Sequence, residues 1–562
     1  HWMREVGVDA FRVDTAFYVP PAYFRDFLYA EDAQAPGVMR LAQQLGREDF
    51  FLFGEGFAID RAYEDSQSRR IESYVADAEG TLLPAMINFP LYGSLGDAFA
   101  RARPPAELAD RIQRMLRVHA DPHRMPSFID NHDVERFLAA GSEPGLRQAL
   151  LAMFTLPGIP VIYYGTEQGF TRMRGSMFAA GWGSDGRDHF NTDSPQYRFL
   201  QRLAELRANH PPLRRGTPRI LAAESAQPGT IAWLSEHDGE TLLVALNSSA
   251  QPALLGAVDT GIADGRWAPV FAIEGRAPDL QADAEGRIDQ VLPAHAGWVW
   301  RLQRRAEETQ TTLAAPRPQL QVLGEGPARE TLRVLGIAEP GQRLALVQDG
   351  EIARAIALTA DARGRIEHRL DVRSLSDPRV QHRLQLWDAE SGRASAVQTF
   401  QVEPQWQRLA QASDPIGDDH GPEGRYVLPQ DPGWQARGLL DLRAATLEAS
   451  GGSLRIEVEL GGLSQDWNPA NGFDRMALTL YLSLPDRREG ARVLPLQNDS
   501  LPDGRRWQRR LRVHGWSNLL TSHRGADAQS EGEALGAALI EVLPERSRLR
   551  LSLPARLLGE PT

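Results

Sequence analysis

Three carboxylates in the first quarter of the chain each follow a short apolar stretch. Asp14 ends "GVDAFRVD", Glu55 follows "FFLFG", and Asp133 closes "FIDNHD". Two facing carboxylates are the minimum equipment for cleaving a glycosidic bond, because one group works ionised while the other donates a proton. Three acids at the ends of apolar strands therefore predict a carboxylate-lined pocket.

The neighbours of two of these acids predict which one is ionised. Side chains alternate along a strand, so Arg12 lies on the same face as Asp14 and can hold that carboxylate ionised and oriented. A purely structural ion pair at the strand end is the alternative. Glu55 lies among phenylalanines in the sequence. Apolar surroundings raise the pKa of a carboxyl group, and a proton donor needs this.

The elements that must position these acids alternate between strands and helices. Residues 1–215 contain apolar runs that we predict as strands, and between them apolar residues recur at helical spacing. The predicted strands are Val8–Val13, Phe51–Phe53, Ala85–Phe89, Ser127–Ile129 and Ile159–Tyr163. This alternation is typical of a parallel sheet covered by helices, in which the carboxyl ends of the strands carry the functional side chains.

The motifs resemble those of the α-amylase family of glycoside hydrolases (family 13). "GVDAFRVD", "FGEGF", "FIDNHD" and "IPVIYYGTEQG" occur in the family's order. The resemblance implies the C-terminal part of a (β/α)8 TIM barrel, strands four to eight, followed by three β-sandwich domains. "HWMREVGVDAF" would then end the third barrel helix, and we expect the chain to be the C-terminal part of a longer protein.

The resemblance also implies a role for each matching residue. Asp14 would be the nucleophile that forms a glycosyl-enzyme intermediate, Glu55 the general acid and then base, and Asp133 a stabiliser of the transition state. The implied substrate-binding residues are Arg12, which orients Asp14, His132, which hydrogen-bonds the sugar, and Asn131, Phe17, Tyr18 and Phe57. Such a double displacement retains the anomeric configuration and needs carboxyl groups about 5–5.5 Å apart. The implied substrates are α-1,4-linked glucans such as starch or maltodextrins.

Two departures from the family leave the linkage preference open. "DTAFYVP" stands where many α-amylases have a Lys-His pair, and Gly56 and Phe57 follow the acid where bulkier residues are common. Phe17 and Tyr18 would form an aromatic sugar platform or pack in the core. A transglycosylase or an α-1,6-acting, pullulanase-type relative is therefore an alternative. A non-catalytic glucan-binding protein is the alternative from another class, although the three acids argue against it.

The composition excludes several classes of binding partner and of chemistry. A net charge of −12 argues against nucleic acid, and the absence of cysteine excludes disulfides and thiolate chemistry. No apolar run approaches the roughly 18–20 residues of a membrane span. We expect an α-glucan substrate and an extracellular or periplasmic location. Calcium sites of the family rely partly on residues outside this chain, so we predict no metal ligand here. We expect that the full-length protein could bind a structural calcium ion.

Beyond residue 215 the sequence pattern is all-β. Segment 216–303 has strand-like runs around an Asp-Gly turn, and 304–318 is polar and ends in prolines, as linkers do. Residues 319–403 predict a small, Ig-like β-sandwich that serves as a spacer. Block 404–562, with "SDPIGDDHGPEGRYVLPQD" and "HGWSN", resembles the C-terminal domain of glucodextranase and of some amylopullulanases. That resemblance implies a β-sandwich for polysaccharide or cell-surface attachment.

The last block contains a few candidate ligand-binding side chains. Trp434, Trp467 and Trp516 could stack on sugar rings, although we expect core packing for them. Asp418 and Asp419 could bind calcium through carboxylate oxygens, or hold a turn.

Overall fold

The computed structural model describes residues 1–303, 316–324, 326–421, 424–427, 429, 432–435, 438–467, 469–484 and 487–559. Most of the predicted linker 304–318 lies outside the described residues. The described residues fall into two compact units. One is drawn from 1–100, 104–314 and 350–353, and the other from 101–103, 315–349 and 354–562.

Over residues 1–215 the chain forms short strands with helices between them. The strands are β1 (Ala10–Val13), β2 (Phe51–Gly54), β3 (Ala76–Asp77), β4 (Gly80–Thr81), β5 (Pro126–Ser127) and β6 (Ile159–Pro160). The helices are α1 (Pro21–Tyr29), α2 (Val38–Gln44), α3 (Ser66–Glu72), α4 (Phe89–Phe99), α5 (Pro105–Val118), α6 (Phe137–Ala140), α7 (Glu143–Thr155), α8 (Pro195–Asn209) and α9 (Pro212–Arg215).

Successive chain segments pair in parallel at the centre of this region. Strand β1 pairs with β2, and β5 pairs with β6. Between them, the Gly54 N–H donates to Ala85 O at 3.0 Å, the Ile87 N–H to Gly54 O at 2.9 Å, and the Asn88 N–H to Pro126 O at 2.9 Å. The five predicted strand regions therefore lie side by side in chain order, and their carboxyl ends lie at one edge.

The prediction of a full strand over Ala85–Phe89 is wrong. Only Met86 forms a bridge, with Gly54, and helix α4 already begins at Phe89. The reason is a helix cap that the apolar run conceals: the Asn88 side chain accepts the Leu91 N–H at 3.0 Å and so satisfies a donor of the first helical turn. The other predicted strands are present but shorter than expected.

Helices α4, α5, α7 and α8 bury a shared apolar core. Its fully buried members include Leu91, Leu108, Leu150 and Leu203. Burial of each such side chain contributes about 1.5–3 kcal/mol relative to exposure. Helix α7 starts where the Ser142 hydroxyl accepts the Gly145 N–H, and almost all of its side chains are buried. This packing fixes the helical layer behind the parallel strands.

Residues 219–303 form antiparallel sheets in the same unit. The strands are β7 (Arg219–Ala223), β8 (Thr230–His237), β9 (Glu240–Asn247), β10 (Ala253–Asp259), β11 (Arg266–Ala272), β12 (Leu280–Gln281), β13 (Arg287–Leu292) and β14 (Gly297–Gln303). One sheet has the order β12-β11-β14-β9-β8-β7, and β10 pairs with β13. Trp267 and Trp300 are buried in the core of this region.

The second unit begins with two facing antiparallel sheets. Their strands are β15 (Gln319–Leu323), β16 (Thr331–Ile337), β17 (Arg343–Gln348), β18 (Ile356–Thr359), β19 (Arg365–Asp371), β20 (His382–Trp387) and β21 (Gln398–Phe400). The orders are β15-β16-β19 and β18-β17-β20-β21. Alternating inward residues of both sheets, among them Val334, Leu346 and Leu384, form one core.

The last part of the second unit is also built from two principal sheets. Its elements are β22 (Gln407–Ser413), α10 (Pro432–Gln435), β23 (Leu442–Ser450), β24 (Ser453–Leu460), β25 (Ala477–Leu482), β26 (Val493–Leu494), β27 (Asp499–Ser500), β28 (Arg509–His514), β29 (Ser517–Ser522), β30 (Ala534–Gly536), β31 (Leu539–Leu543), β32 (Arg548–Leu553) and α11 (Ala555–Leu558). The sheet orders are β22-β23-β24-β32-β31 and β25-β28-β29-β30. All-β regions thus follow the first segment. The exact boundaries of segments 1–215, 216–303, 319–403 and 404–562 stay predictions.

The expectation that the tryptophans of this last part pack in the core is wrong for two of them. Trp467 is 56% exposed and Trp516 is 36% exposed, because both stand on loops beyond the sheets. Trp434 is half-buried on α10. Within the described ranges, no helix is both long and apolar enough to cross a membrane.

A buried ion pair joins three segments of the first unit. The guanidinium of Arg111, on α5, donates from Nη1 to Asp60 Oδ2 at 2.9 Å, and both side chains are almost inaccessible to solvent. Asp60 also accepts the Gln67 and Ser68 N–H groups at the start of α3. Every partner depends on the others, since an unpaired charge at this depth is strongly unfavourable.

We predict that Asp60→Ala lowers the local free energy of opening around α3 and α5 by about 3–5 kcal/mol, because the Arg111 charge stays buried without its partner. Hydrogen exchange of the α3 and α5 amides measures this. The matched control is Arg69→Ala, which removes a largely exposed partner of Asp65 and is expected to change the same exchange far less, because solvent screens an exposed ion pair. Equal effects of the two variants would contradict the assignment.

Candidate active site

The parallel register of β1 and β2 brings the first two acids together. Val13 is the partner of Gly54, so the next residues, Asp14 and Glu55, occupy neighbouring positions at the strand ends. The Glu55 N–H donates to Val13 O at 2.7 Å and continues the pairing by one residue. Neighbouring strands are about 4.8 Å apart, so the two carboxylates share one edge and one face.

Arg12 and Asp14 form the ion pair that the sequence predicts. Arg12 Nη1 donates to Asp14 Oδ1 at 2.7 Å. The Asp14 side chain is 64% exposed, and an exposed ion pair contributes little to stability. The contact therefore acts chiefly by orienting the Asp14 carboxylate.

Glu55 lies in a different environment from Asp14. The residue is only 7% exposed, and one of its oxygens, Oε2, accepts the Thr15 N–H at 3.0 Å. Thr15 has the left-handed backbone conformation (φ 47°), so the chain turns immediately after β1. Nothing in the sequence beyond its place after Asp14 singles Thr15 out, so sequence reasoning missed it.

Burial raises the pKa of Glu55 above its ordinary value. The Thr15 N–H and the positive charge of Arg12 act in the opposite direction, while the negative charges of Asp14 and Asp133 add to the increase in pKa. The three predicted acids therefore lie close enough together to affect one another electrostatically. The net direction favours a Glu55 carboxyl group that keeps its proton to higher pH, as a proton donor requires.

The third acid stands in a loop after β5. His132 Nε2 lies 2.9 Å from Asp133 Oδ2. The amide oxygen of Asn131 accepts the N–H groups of Asp133 and Val134 at 2.8 and 3.2 Å, so it closes the turn on which these residues stand. Arg174 donates to His132 O at 2.8 Å. The loop is thus held by its own hydrogen bonds, and His132 and Asp133 keep partly exposed side chains.

A buried arginine that sequence reasoning missed supports this loop. Arg136 donates to Tyr164 O at 2.6 Å, and its guanidinium lies 4.0 Å from the centre of the Tyr163 ring. Asp130, also buried, accepts the Thr166 hydroxyl at 2.8 Å. These contacts tie the loop after β5 to the loop after β6. The signal in the sequence was an arginine three residues after Asp133, inside the "FIDNHDVERF" motif.

Tyr163 provides an aromatic side chain at the same edge. Its ring centre lies 6.3 Å from that of His132. Burial, followed by the neighbouring Tyr164, raises the pKa of Tyr163 to about 12.

The three aromatic candidates differ in their surroundings. Phe17 packs against Tyr74, with ring centres 4.9 Å apart. Its contacts therefore favour core packing over a sugar platform. A Cβ at Gly56 would come within 2.6 Å of the Phe17 ring, which explains why glycine follows the acid here. Tyr18 is 89% exposed. Phe57 is partly exposed, with its ring centre 4.7 Å from that of Phe89.

The described residues do not offer a metal centre. Over the part of the chain that the structure describes, no group of three or more histidine or acidic side chains could hold a metal ion. Asp418 and Asp419 stand in a turn, in which the Gly421 N–H donates to Asp418 O at 3.2 Å. The arrangement fits a turn better than a calcium site, and a structural calcium ion stays a prediction.

Comparison with known proteins places this geometry in a family. Residues 1–193 match the family model described as the catalytic domain of alpha amylase. This segment therefore resembles the catalytic domain of α-amylases. Residues 409–561 match the model described as the C-terminal binding-module, SLH-like, of glucodextranase. Both resemblances are thereby confirmed, and the parallel strands are part of an α-amylase-type TIM barrel.

The chain is also similar to individual α-amylases over part of its length. It is 28% identical over 258 residues to a beta/alpha-amylase of Paenibacillus polymyxa, covering 44% of this chain and 18% of that protein. It is 29% identical over 360 residues to an alpha-amylase of Streptomyces lividans, covering 56% of this chain and 36% of that protein.

Among solved structures, the chain is similar to the alpha-amylase of Geobacillus thermoleovorans complexed with acarbose. The two are 24% identical, with a TM-score of 0.43, covering 54% of this chain and 62% of the other. The pairing of the parallel strands, rather than this superposition, supports the fold. The chain thus spans less than two thirds of the length of each of these three proteins.

We predict that Asp14→Asn lowers the pKa of Glu55, because an ionised Glu55 is no longer repelled by a neighbouring negative charge. Arg12→Met is the matched control of opposite sign: it removes an attracting charge and is expected to raise the same pKa. A ¹³C NMR titration of glutamate-labelled protein, with the Glu55 signal assigned by Glu55→Gln, measures both shifts. An unchanged pKa in both variants would contradict the proximity of these groups.

Proposed function

We propose that the protein is a retaining glycoside hydrolase that cleaves α-1,4-glucosidic bonds in starch or maltodextrins. The single observation that carries this proposal is the pairing of an exposed, arginine-bound Asp14 with a buried Glu55 at adjacent strand ends of an α-amylase-type segment. Asp14 is exposed and oriented by an arginine, while burial raises the pKa of Glu55. Retaining glycosidases need an attacking carboxylate and a proton-donating carboxyl group side by side.

In the proposed first step, an Asp14 oxygen attacks the anomeric carbon of the sugar. Glu55 donates its proton to the glycosidic oxygen, the bond between that oxygen and the anomeric carbon breaks, and the glucan chain on the leaving side departs. A covalent glycosyl ester on Asp14 is formed. Arg12, whose Nη1 donates to Asp14 Oδ1 at 2.7 Å, orients the attacking carboxylate.

In the second step, water replaces Asp14 at the same carbon. The Glu55 carboxylate takes a proton from the water, the ester bond to Asp14 breaks, and the sugar leaves with its original anomeric configuration. Asp133 and His132 would bind sugar hydroxyl groups through the oxygen and nitrogen atoms exposed at the loop after β5. We assign further substrate contacts to Asn131, Tyr18 and Phe57, and the carboxyl separation of about 5–5.5 Å stays a prediction.

A second candidate function is transfer of the glycosyl group to another sugar, or attack on α-1,6 linkages. The observation that favours it is the residue next to the acid: Gly56 packs closely against Phe17, where bulkier residues are common in the family. Both candidates use the same first step and differ in the acceptor or in the linkage that is bound. Analysis of products from maltoheptaose and from pullulan distinguishes them.

The C-terminal module supports a location outside the cytoplasm. Residues 409–561 match a module described as SLH-like and binding. We propose that this module attaches the protein to a polysaccharide or to the cell surface.

We predict that Asp14→Asn and Glu55→Gln each lower the release of reducing sugar from soluble starch by at least about a thousandfold, because each removes a group that acts in both steps. The natural protein, at whatever length it is produced, is the reference. Asp9→Asn is the control and should keep activity. Asp9 precedes β1, at the amino end of the strand, whereas Asp14 follows its carboxyl end.

Proton NMR of the first products is the second readout of this test. It is expected to show the α-anomer before mutarotation. Unchanged activity in Asp14→Asn would contradict the proposal, as would initial release of the β-anomer.

A further inference from the structure

Two exposed tryptophans form a pair in the C-terminal module. The ring centres of Trp467 and Trp516 lie 6.2 Å apart, and the ring planes are within 28° of parallel. Trp507, in the same module, is fully buried, so this region does place tryptophan in its core where the fold needs it. Large apolar side chains that stay exposed together are characteristic of interaction sites.

The loop that carries Trp467 is held by buried groups. The backbone N–H of Trp467 donates to Asp474 Oδ2 at 2.7 Å, and Asp474 is only 1% exposed. The guanidinium of Arg475 lies 4.9 Å from the Trp467 ring centre and 3.0 Å from the Asp466 carboxylate. Asp474 and Arg475 therefore hold Trp467 from the protein side, while the exposed part of its indole faces solvent.

The turn that carries Trp516 is locked to the same loop. Asn471 donates from its side chain to His514 O and Ser517 O, at 2.7 and 2.9 Å, on either side of the turn between β28 and β29. Gly515 lies so close to this loop that a Cβ there would come within 2.8 Å of Pro469. Two loops thus hold the two indoles in a fixed relation, and pre-organised side chains bind with less loss of entropy.

We propose that Trp467 and Trp516 form a platform on which an α-glucan chain stacks. Sugar rings offer apolar C–H faces to aromatic rings, and two nearly parallel indoles can contact two sugar rings of one chain. The Asp466 carboxylate, next to Trp467 and partly exposed, can accept hydrogen bonds from sugar hydroxyls. The choice of α-glucan rests on the proposed function of the catalytic segment.

The test is gel retardation of the full chain by soluble starch, in a Glu55→Gln background so that the starch is not digested. Trp467→Ala and Trp516→Ala are each expected to weaken binding about tenfold, because each removes one stacking contact. Trp467→Tyr, which keeps a ring, should retain most of the binding. Leu409→Ala is the matched control, since Leu409 is similarly exposed (59%) in the same module and should change nothing.

The outcomes separate this proposal from the catalytic one. The platform is overturned if the Glu55→Gln protein and both alanine variants are retarded equally by starch. It is also overturned if Leu409→Ala weakens starch binding as much as the tryptophan variants do. No retardation of the parent overturns the choice of α-glucan. Tryptophan-dependent binding to purified cell-wall sacculi without binding to starch overturns it as well and assigns the platform to a wall polysaccharide. Failure of the catalytic proposal is seen separately, as absence of sugar release when Glu55 is intact.

Discussion

The candidate active site depends on one backbone register. Glu55 donates its N–H to Val13 O, one residue beyond the parallel pairing of β1 with β2, and this single bond sets Asp14 beside Glu55. A shift of one residue would send one of the carboxylates to the opposite face of the sheet. Immediately after the two strands, Thr15 adopts a left-handed conformation and Gly56 packs closely against Phe17.

The same register gives two chemically similar groups different surroundings. Asp14 reaches solvent and an arginine, whereas Glu55 is buried and its pKa is raised. Two carboxyl groups can divide the work of a double displacement only if their environments separate their protonation states. The fold produces different environments at two neighbouring strand ends, because Asp14 is exposed to solvent there and Glu55 is buried.

Much of the site could be predicted from the sequence, because alternation along a strand and the order of the motifs determine where Arg12, Asp14 and Glu55 stand. The strand over Ala85–Phe89 was wrong because the cap at Asn88 starts a helix inside an apolar run. Arg136 gave little signal, since its role depends on carbonyl groups nearly thirty residues away. The exposure of Trp467 and Trp516 could not be predicted either, because it is decided by the way two loops pack together.

The most direct test of the account is to identify the residue that becomes covalently linked to sugar. A fluorinated maltosyl fluoride, which forms the glycosyl-enzyme quickly and releases it slowly, would be incubated with the natural protein, followed by proteolysis and mass spectrometry. The account predicts one maltosyl group on the peptide that contains Asp14, as an ester of that side chain. A maltosyl group on any other residue, or cleavage of starch with inversion and no adduct, would contradict it.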